Sequence, residues 1–174
     1  YMTFDNFTIK AQEAVQEAIN SVQRAGQQSI EPVHILRGVM NKGKDVTNFI
    51  FQKLSINAQT VDTLLDREIA HLPKVQGGQA YLSNDSNAVL QKSIDYSKEM
   101  GDEFVSLEPI MVALLNVKST AADILRDAGM AEKDLRAAIN ELRQGQKVIN
   151  QSADENYQAL SKYAKNLIEE ARAG

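Results

Sequence analysis

The chain has 174 residues, 43% of them apolar, and a formal charge of −4 carried by intermixed acids and bases. That is enough apolar material for one domain with a real core, and without a Lys/Arg stripe or interleaved aromatics there is little electrostatic basis for binding nucleic acid. With no cysteine, disulfides, thiolate zinc sites and cysteine nucleophiles are excluded, in keeping with a reducing cytoplasmic setting; no apolar run approaches the ~20 residues that span a bilayer, and Tyr1 to Asp5 lacks the regions of a signal peptide.

Thr8 is a good N-cap, and Ala11, Ala14, Val15, Ala18, Ile19 and Val22 follow at helical spacing until Gly26. A connector ends at Ile30. Pro32 then sits where the first turn of a helix needs no amide, so a second helix is predicted over roughly Glu31 to Asn41. Val46, Phe49, Ile50 and Leu54 mark a third helix over Lys44 to Leu54, and Val61, Leu64, Leu65 and Ile69 a fourth over Ala58 to Leu72, before Pro73. Lys74 to Tyr81, with Gly77 and Gly78, reads as a flexible joint.

Beyond that joint the pattern starts again. At an offset of 75, Val15 matches Leu90, Ile19 matches Ile94, Gly26 matches Gly101, Ile30 matches Val105, Ile35 matches Ile110 and Asn41 matches Asn116; after a one-residue slip, Ile50 matches Ile124 and Leu65 matches Ile139. Apolar matches at helical spacing with Gly opposite Gly indicate two copies of one fold unit. The second copy predicts helices over Ser83 to Met100, Ser106 to Asn116, Ser119 to Asp127 and Ala131 to Arg143, with Ser106 as N-cap and Glu108 in a first turn where the helix dipole favours an acid. The expected fold is therefore all-α: two tandem four-helix repeats, about 8–73 and 83–145, related by pseudo-twofold symmetry within a domain of residues 4–145. Residues 146–174 would form a polar linker, loosely held, and a separate helix from about Asp154 to Ala173. The charged and small run Glu169 to Gly174 carries no stop signal, so the chain is expected to be part of something longer.

Chemistry is hard to find in these residues. Glu31 and His34 are three apart, a spacing that can place two metal ligands on one helix face, but third and fourth ligands are missing; a helix-cap acid and a packed histidine is the simpler reading. Gly77-Gly78 is not followed by the Lys-Ser/Thr of a phosphate loop, and no triad or paired-carboxylate motif stands out. More distinctive is Gly101-Asp102-Glu103-Phe104-Val105, an aromatic and a β-branched residue beside two acids in a helix-helix turn. Val105 belongs in the core. Phe104 and Tyr96 either plug the core or line an apolar groove rimmed by carboxylates, the form of many peptide-binding surfaces.

Phe4 to Thr8, Ile30-Glu-Pro-Val-His-Ile-Leu36, its echo Val105-Ser-Leu-Glu-Pro-Ile-Met111 and the Leu125 to Met130 turn together resemble the double N-terminal repeat of the Clp family of ATP-driven unfoldases and disaggregases. Val148 to Tyr157, with Ala159 to Tyr163 and Leu167 to Gly174, resembles the segment that leads into the nucleotide-binding module in the disaggregase branch. The resemblance implies a substrate-engaging domain, not itself an enzyme, tethered to a hexameric ATPase ring. ATP and Mg would belong to that ring, with no cofactor in this part. Its implied partners are unfolded or aggregated polypeptides and the Hsp70 chaperone system. It also implies a contact surface between the repeats, onto which Thr8, Tyr96, Asp102, Phe104 and Glu108 map as substrate-binding candidates; Tyr96 and Pro109 stand where several members carry aliphatic residues. Read as helix-end groups, Thr8 is an N-cap worth about 1 kcal/mol, and Asp102 and Glu108 are dipole charges worth a few tenths to 1 kcal/mol. A regulatory or adaptor-docking role is the rival reading.

Overall fold

A computed structural model describes residues 3–155. In chain order it contains α1 (Ile9–Arg24), β1 (Ser29–Ile30), α2 (Pro32–Lys42), α3 (Lys44–Lys53), α4 (Ala58–His71), β2 (Tyr81–Leu82), α5 (Asn84–Glu99), α6 (Leu107–Asn116), α7 (Thr120–Asp127) and α8 (Glu132–Arg143). The all-α fold with two four-helix repeats is as the periodicity predicts. The separate helix expected from about Asp154 lies outside the described residues, except that 153–155 are helical.

The two copies are built by the same local devices. Thr8 accepts from the Ala11 amide at 3.2 Å and Ser83 from the Ser86 amide at 3.1 Å, so each repeat opens on a side-chain N-cap. Gly26 and Gly101 close α1 and α5 in the left-handed region, at φ 70 and 79. At the ends of α3 and α7, Ile56 donates to Phe51 and Met130 to Leu125, at 2.8 and 3.0 Å. These are the reversed bonds of a Schellman turn.

Two contacts absent from the sequence reading tie the copies together. β1 pairs in parallel with β2, Ile30 opposite Leu82, and Phe7 makes a parallel bridge with Val105. By the repeat offset, Phe7 corresponds to Leu82 and Ile30 to Val105, so this is one contact made twice. The capping residue of each repeat donates its amide to the partner copy: Thr8 to Val105 at 2.9 Å and Ser83 to Ile30 at 3.1 Å. Such reciprocity is what a pseudo-twofold relation requires.

Helices α2 and α6 meet at the centre, with α3 against α8 and α4 against α7 around them. Every residue from Leu107 to Leu115 is buried, the pattern of a helix covered on all sides. One apolar cluster runs through both repeats. Within the first, Ala11, Ala14 and Ala18 form a small-residue stripe on α1, against which α2 packs so closely that a Cβ on Gly38 would overlap the Ala14 carbonyl. Gly38→Ala would gain about 1 kcal/mol in helix propensity, but forcing α1 and α2 apart costs about 1–3 kcal/mol. The variant is expected to be less stable than the parent in urea unfolding; equal or greater stability would mean that the crossing yields freely.

Candidate functional site

The site grows from the residue that follows each left-handed glycine. Gln27 and Asp102 occupy this position in the two copies, their amides donating to Val22 and Ser97 at 2.9 and 3.0 Å. Both side chains reach the last turn of the fourth helix of their own repeat. Gln27 donates to the Ile69 carbonyl at 2.6 Å and meets His34 Nε2 at 2.9 Å. Asp102 instead meets Arg143, the repeat equivalent of Ile69. A neutral buried network in the first copy has become an ionic one in the second.

Arg143 holds that second network together. Its Nη1 and Nη2 donate to the two Asp102 carboxylate oxygens at 3.0 and 2.9 Å, its Nε to Glu108 at 3.1 Å, and Nη2 also to the Ser106 hydroxyl at 3.0 Å. The fork geometry of guanidinium suits such a bidentate grip. Ser106 is at the N-cap position of α6 but makes no side-chain cap bond; Arg143 has taken its hydroxyl. Glu108 is 0% exposed, and burial pushes its carboxyl above the ordinary range against the opposing pull of Arg143. Burial also works against the charge of Arg143, yet Glu108 and Asp102 more than offset it and hold the guanidinium above its usual value.

Residues 146–155 close over this network, contrary to the loose linker expected from their polarity. Val148 donates to Asp102 at 3.1 Å and accepts from the Glu103 amide at 2.8 Å, while the Gln151 carbonyl accepts from the Ile9 amide at 2.8 Å. Lys147 donates to the Met100 carbonyl and Gln151 to that of Asp5, both at 2.9 Å. Buried Val148 and Ala153 and these bonds to both repeats outweigh the polar composition. At the far end the Thr8 hydroxyl donates to Asp154 at 2.8 Å, and both residues are fully buried. The other Asp154 oxygen has no hydrogen-bond partner among the described residues. Burial first, then the negative charge of Glu108, push the Asp154 carboxyl up to about 7.

The structure therefore gathers Thr8, Asp102 and Glu108 into one junction, around the Phe7–Val105 bridge, but beneath a closing segment. Their side chains are buried and do not form an open rim. Phe104 flanks the junction, half-buried, its carbonyl accepting from Ser97 at 3.1 Å. Tyr96 stands to one side on α5: its hydroxyl accepts from Asn116 at 3.1 Å and the Arg136 guanidinium lies 5.3 Å from its ring centre, toward α8. Arg143, Asp154, Ser106 and Val148 are the members that sequence reasoning missed; Arg143 is 35 and 41 residues from its acidic partners, and no local motif marks it. Of the two metal-ligand candidates, His34 accepts from the Glu31 amide at Nδ1 and meets Gln27 at Nε2. Burial holds its pKa down to about 4, so the imidazole is neutral at pH 7. Glu31 accepts from the Ser29 hydroxyl at 2.7 Å.

A duplicated all-helical module, joined by reciprocal leading strands and closed by the segment that follows it, is the class this geometry defines. The chain belongs to the family described as the Clp repeat (R) N-terminal domain, whose model matches residues 6–128. It is 66% identical over 173 residues to the chaperone protein ClpB of Bacteroides thetaiotaomicron and 47% identical over 173 residues to that of Porphyromonas gingivalis. Each match covers 99% of this chain and 20% of the relative, so the chain spans about one fifth of their length. In fold it is similar to the Hsp104 N-terminal domain of Candida albicans, with a TM-score of 0.76, 20% identity and coverage of 86% of this chain and 99% of that one. The N-terminal domain of ClpD from Arabidopsis thaliana matches with a TM-score of 0.64 at 21% identity, covering 83% and 98%. No helix among the described residues is long and apolar enough to cross a membrane.

Burial changes what an acidic truncation should do. A helix-end charge would cost a few tenths to 1 kcal/mol, but Glu108→Ala leaves the buried Arg143 Nε without its acceptor while Asp102 still holds the rest of the guanidinium, and is expected to destabilise by about 2–3 kcal/mol. Glu103→Ala, whose side chain is exposed, should stay within about 0.5 kcal/mol of the parent. Urea unfolding of the two variants side by side makes the comparison; equal small losses would reduce Glu108 to a helix-end charge.

Proposed function

We propose that this domain engages exposed hydrophobic segments of unfolded or aggregated polypeptides, as the amino-terminal module of a ClpB-type disaggregase. Its 66% and 47% identity to ClpB chaperones over nearly the whole chain supports that setting. In this reading ATP and Mg act in the remainder of the longer protein, in a hexameric ring that works with the Hsp70 system, and this domain hydrolyses nothing itself.

The observation that carries the reading is a pair of partly buried aromatics on the second repeat, Phe104 flanking the inter-repeat junction and Tyr96 to one side of it on α5. Tyr96 and Phe104 are linked through Ser97, neighbour of one and hydrogen-bonded to the other. Both pack against the core from its edge. Aromatic residues in such positions supply much of the energy of apolar recognition at low conformational cost. Thr8, Asp102 and Glu108 then shape the junction from beneath and meet a captured chain only when residues 146–155 move aside. A regulatory role, with an adaptor or the ring as the partner, is favoured by one fact: those three side chains are covered.

Capture by apolar contact should respond weakly to salt, because screening acts on exposed charges. Titrating the 174-residue chain with a permanently unfolded polypeptide is expected to shift the resonances of Tyr96, Phe104 and their neighbours, with affinity changing less than about threefold between low and moderate salt. Tyr96→Ala should weaken binding about tenfold, the 1.4 kcal/mol expected of a modest hot spot. Unchanged binding by that variant, or shifts confined to other surfaces, would move the assignment to the adaptor-docking role.

A further inference from the structure

Residues 146–155 have the features of a bound ligand. Val148 is fully buried between exposed neighbours, Lys147 and Ile149, in the irregular stretch 146–149, after which the chain turns and becomes helical at 153–155. The segment offers carbonyls to two backbone donors that belong to the repeats, the Glu103 and Ile9 amides, and places Val148 and the smaller Ala153 in the core cluster. Backbone donors with an apolar hole are the chemistry of generic polypeptide recognition, in which the main chain supplies affinity and the pocket asks only for an apolar residue. The corresponding cover of the first repeat, residues 73–80, is anchored by α4 on one side and α5 on the other. Residues 146–155 follow α8 and, within the described residues, reach the Asp154–Thr8 contact.

We propose that residues 146–155 are an autoinhibitory strap lying in a seat for a polypeptide segment, with the Asp154–Thr8 contact as its latch. The inference deepens the capture reading and rests on it: the seat takes the same class of ligand, an unfolded segment carrying an apolar side chain, in place of Val148. Opening uncovers the Ile9 and Glu103 amides, the Asp102 carboxylate that Val148 now occupies, and the Thr8 hydroxyl. The latch is poised by the groups around Asp154: Thr8 at the start of α1, Glu108 on α6 and Glu155 on its own segment, with Arg143 of α8 holding Glu108 and, beyond it, Asp102 of the α5–α6 turn. Arg143 already divides its charge between Asp102 and Glu108, and an ionised Asp154 would set a further buried negative charge against Glu108. The neutral acid suits the closed strap. Because the carboxyl is raised when closed and ordinary when open, rising pH favours opening, from about 4 up to about 7.

The test reads the Val148 amide by hydrogen exchange in the full 174-residue chain. After correction for hydroxide catalysis, its exchange in the wild type should accelerate by up to about tenfold per pH unit between pH 5.5 and pH 7, while the Tyr81 and Ser83 amides of the other junction stay constant. Asp154→Asn, which keeps the shape of the acid without its charge, should abolish that dependence. In a second arm at neutral pH, a saturating unfolded polypeptide should accelerate the Val148 amide at least about threefold and release its methyl groups from their buried environment. A wild type without pH dependence, or an Asn variant that retains it, overturns the latch. If the polypeptide shifts Tyr96 and Phe104 but leaves Val148 protected, capture stands and the seat falls; if it shifts nothing, both readings fall together.

Discussion

One guanidinium organises the second half of this molecule. Arg143 ends α8, yet its guanidinium makes four hydrogen bonds inward to Asp102, Glu108 and Ser106, which come from the α5–α6 turn and the start of α6. Ion pairs on a surface contribute little, but this one is 6% exposed on its basic side and 0% on its acidic side. In that setting the pair need not stabilise the fold relative to apolar packing; its effect is that neither partner can be left alone. The angle of the turn, the start of α6 and the end of α8 are therefore set together. Asp102 has a further acceptor role toward the Val148 amide, so the position of the closing segment is tied to the same group.

Duplication explains why the network sits where it does. Each repeat lends the residues before its first helix to the approach of the other's second helix, and each approach follows a glycine that must turn left. The residue after that glycine is thus aimed at the fourth helix in both copies. What differs is the chemistry placed there: Gln27 with a neutral His34 in one, Asp102 with Arg143 in the other. The frame is older than its contents in a logical sense, because the backbone bonds recur in both copies while the side-chain partners do not.

The helices were legible because their signals are local. Thr8 and Ser83 as caps, Pro32 in a first turn, Ser119 before α7 and the left-handed glycines locate ends to within a residue or two. Strands β1 and β2 were not legible, since two residues carry no periodicity and their pairing follows only from the repeat arrangement. The closing segment was misread because its composition is polar, while its attachment depends on Val148, Asp154 and backbone groups whose partners are far away in sequence. Thr8, Asp102 and Glu108 came from family resemblance; that all three are buried depends on Arg143 and Asp154, which nothing in the local sequence distinguishes from a helix-end base and a linker acid.

The contrast between the two networks has a physical consequence for which junction can open. Separating a neutral buried cluster such as Gln27 with His34 breaks hydrogen bonds and exposes the apolar walls that made the histidine neutral, with modest return from hydration. Carboxylates and a guanidinium are different, because water that re-enters restores much of the solvation lost on burial. The ionic junction can therefore lose its cover at a lower net cost than its area of contact suggests. Opposing this is Val148, whose burial favours closure by roughly 1.5–3 kcal/mol on transfer grounds. A segment held by one large apolar side chain, a small one at Ala153 and exchangeable hydrogen bonds over a hydratable charge cluster lies nearer to balance than a wholly apolar contact, and a competing apolar side chain for the Val148 hole acts directly on that balance.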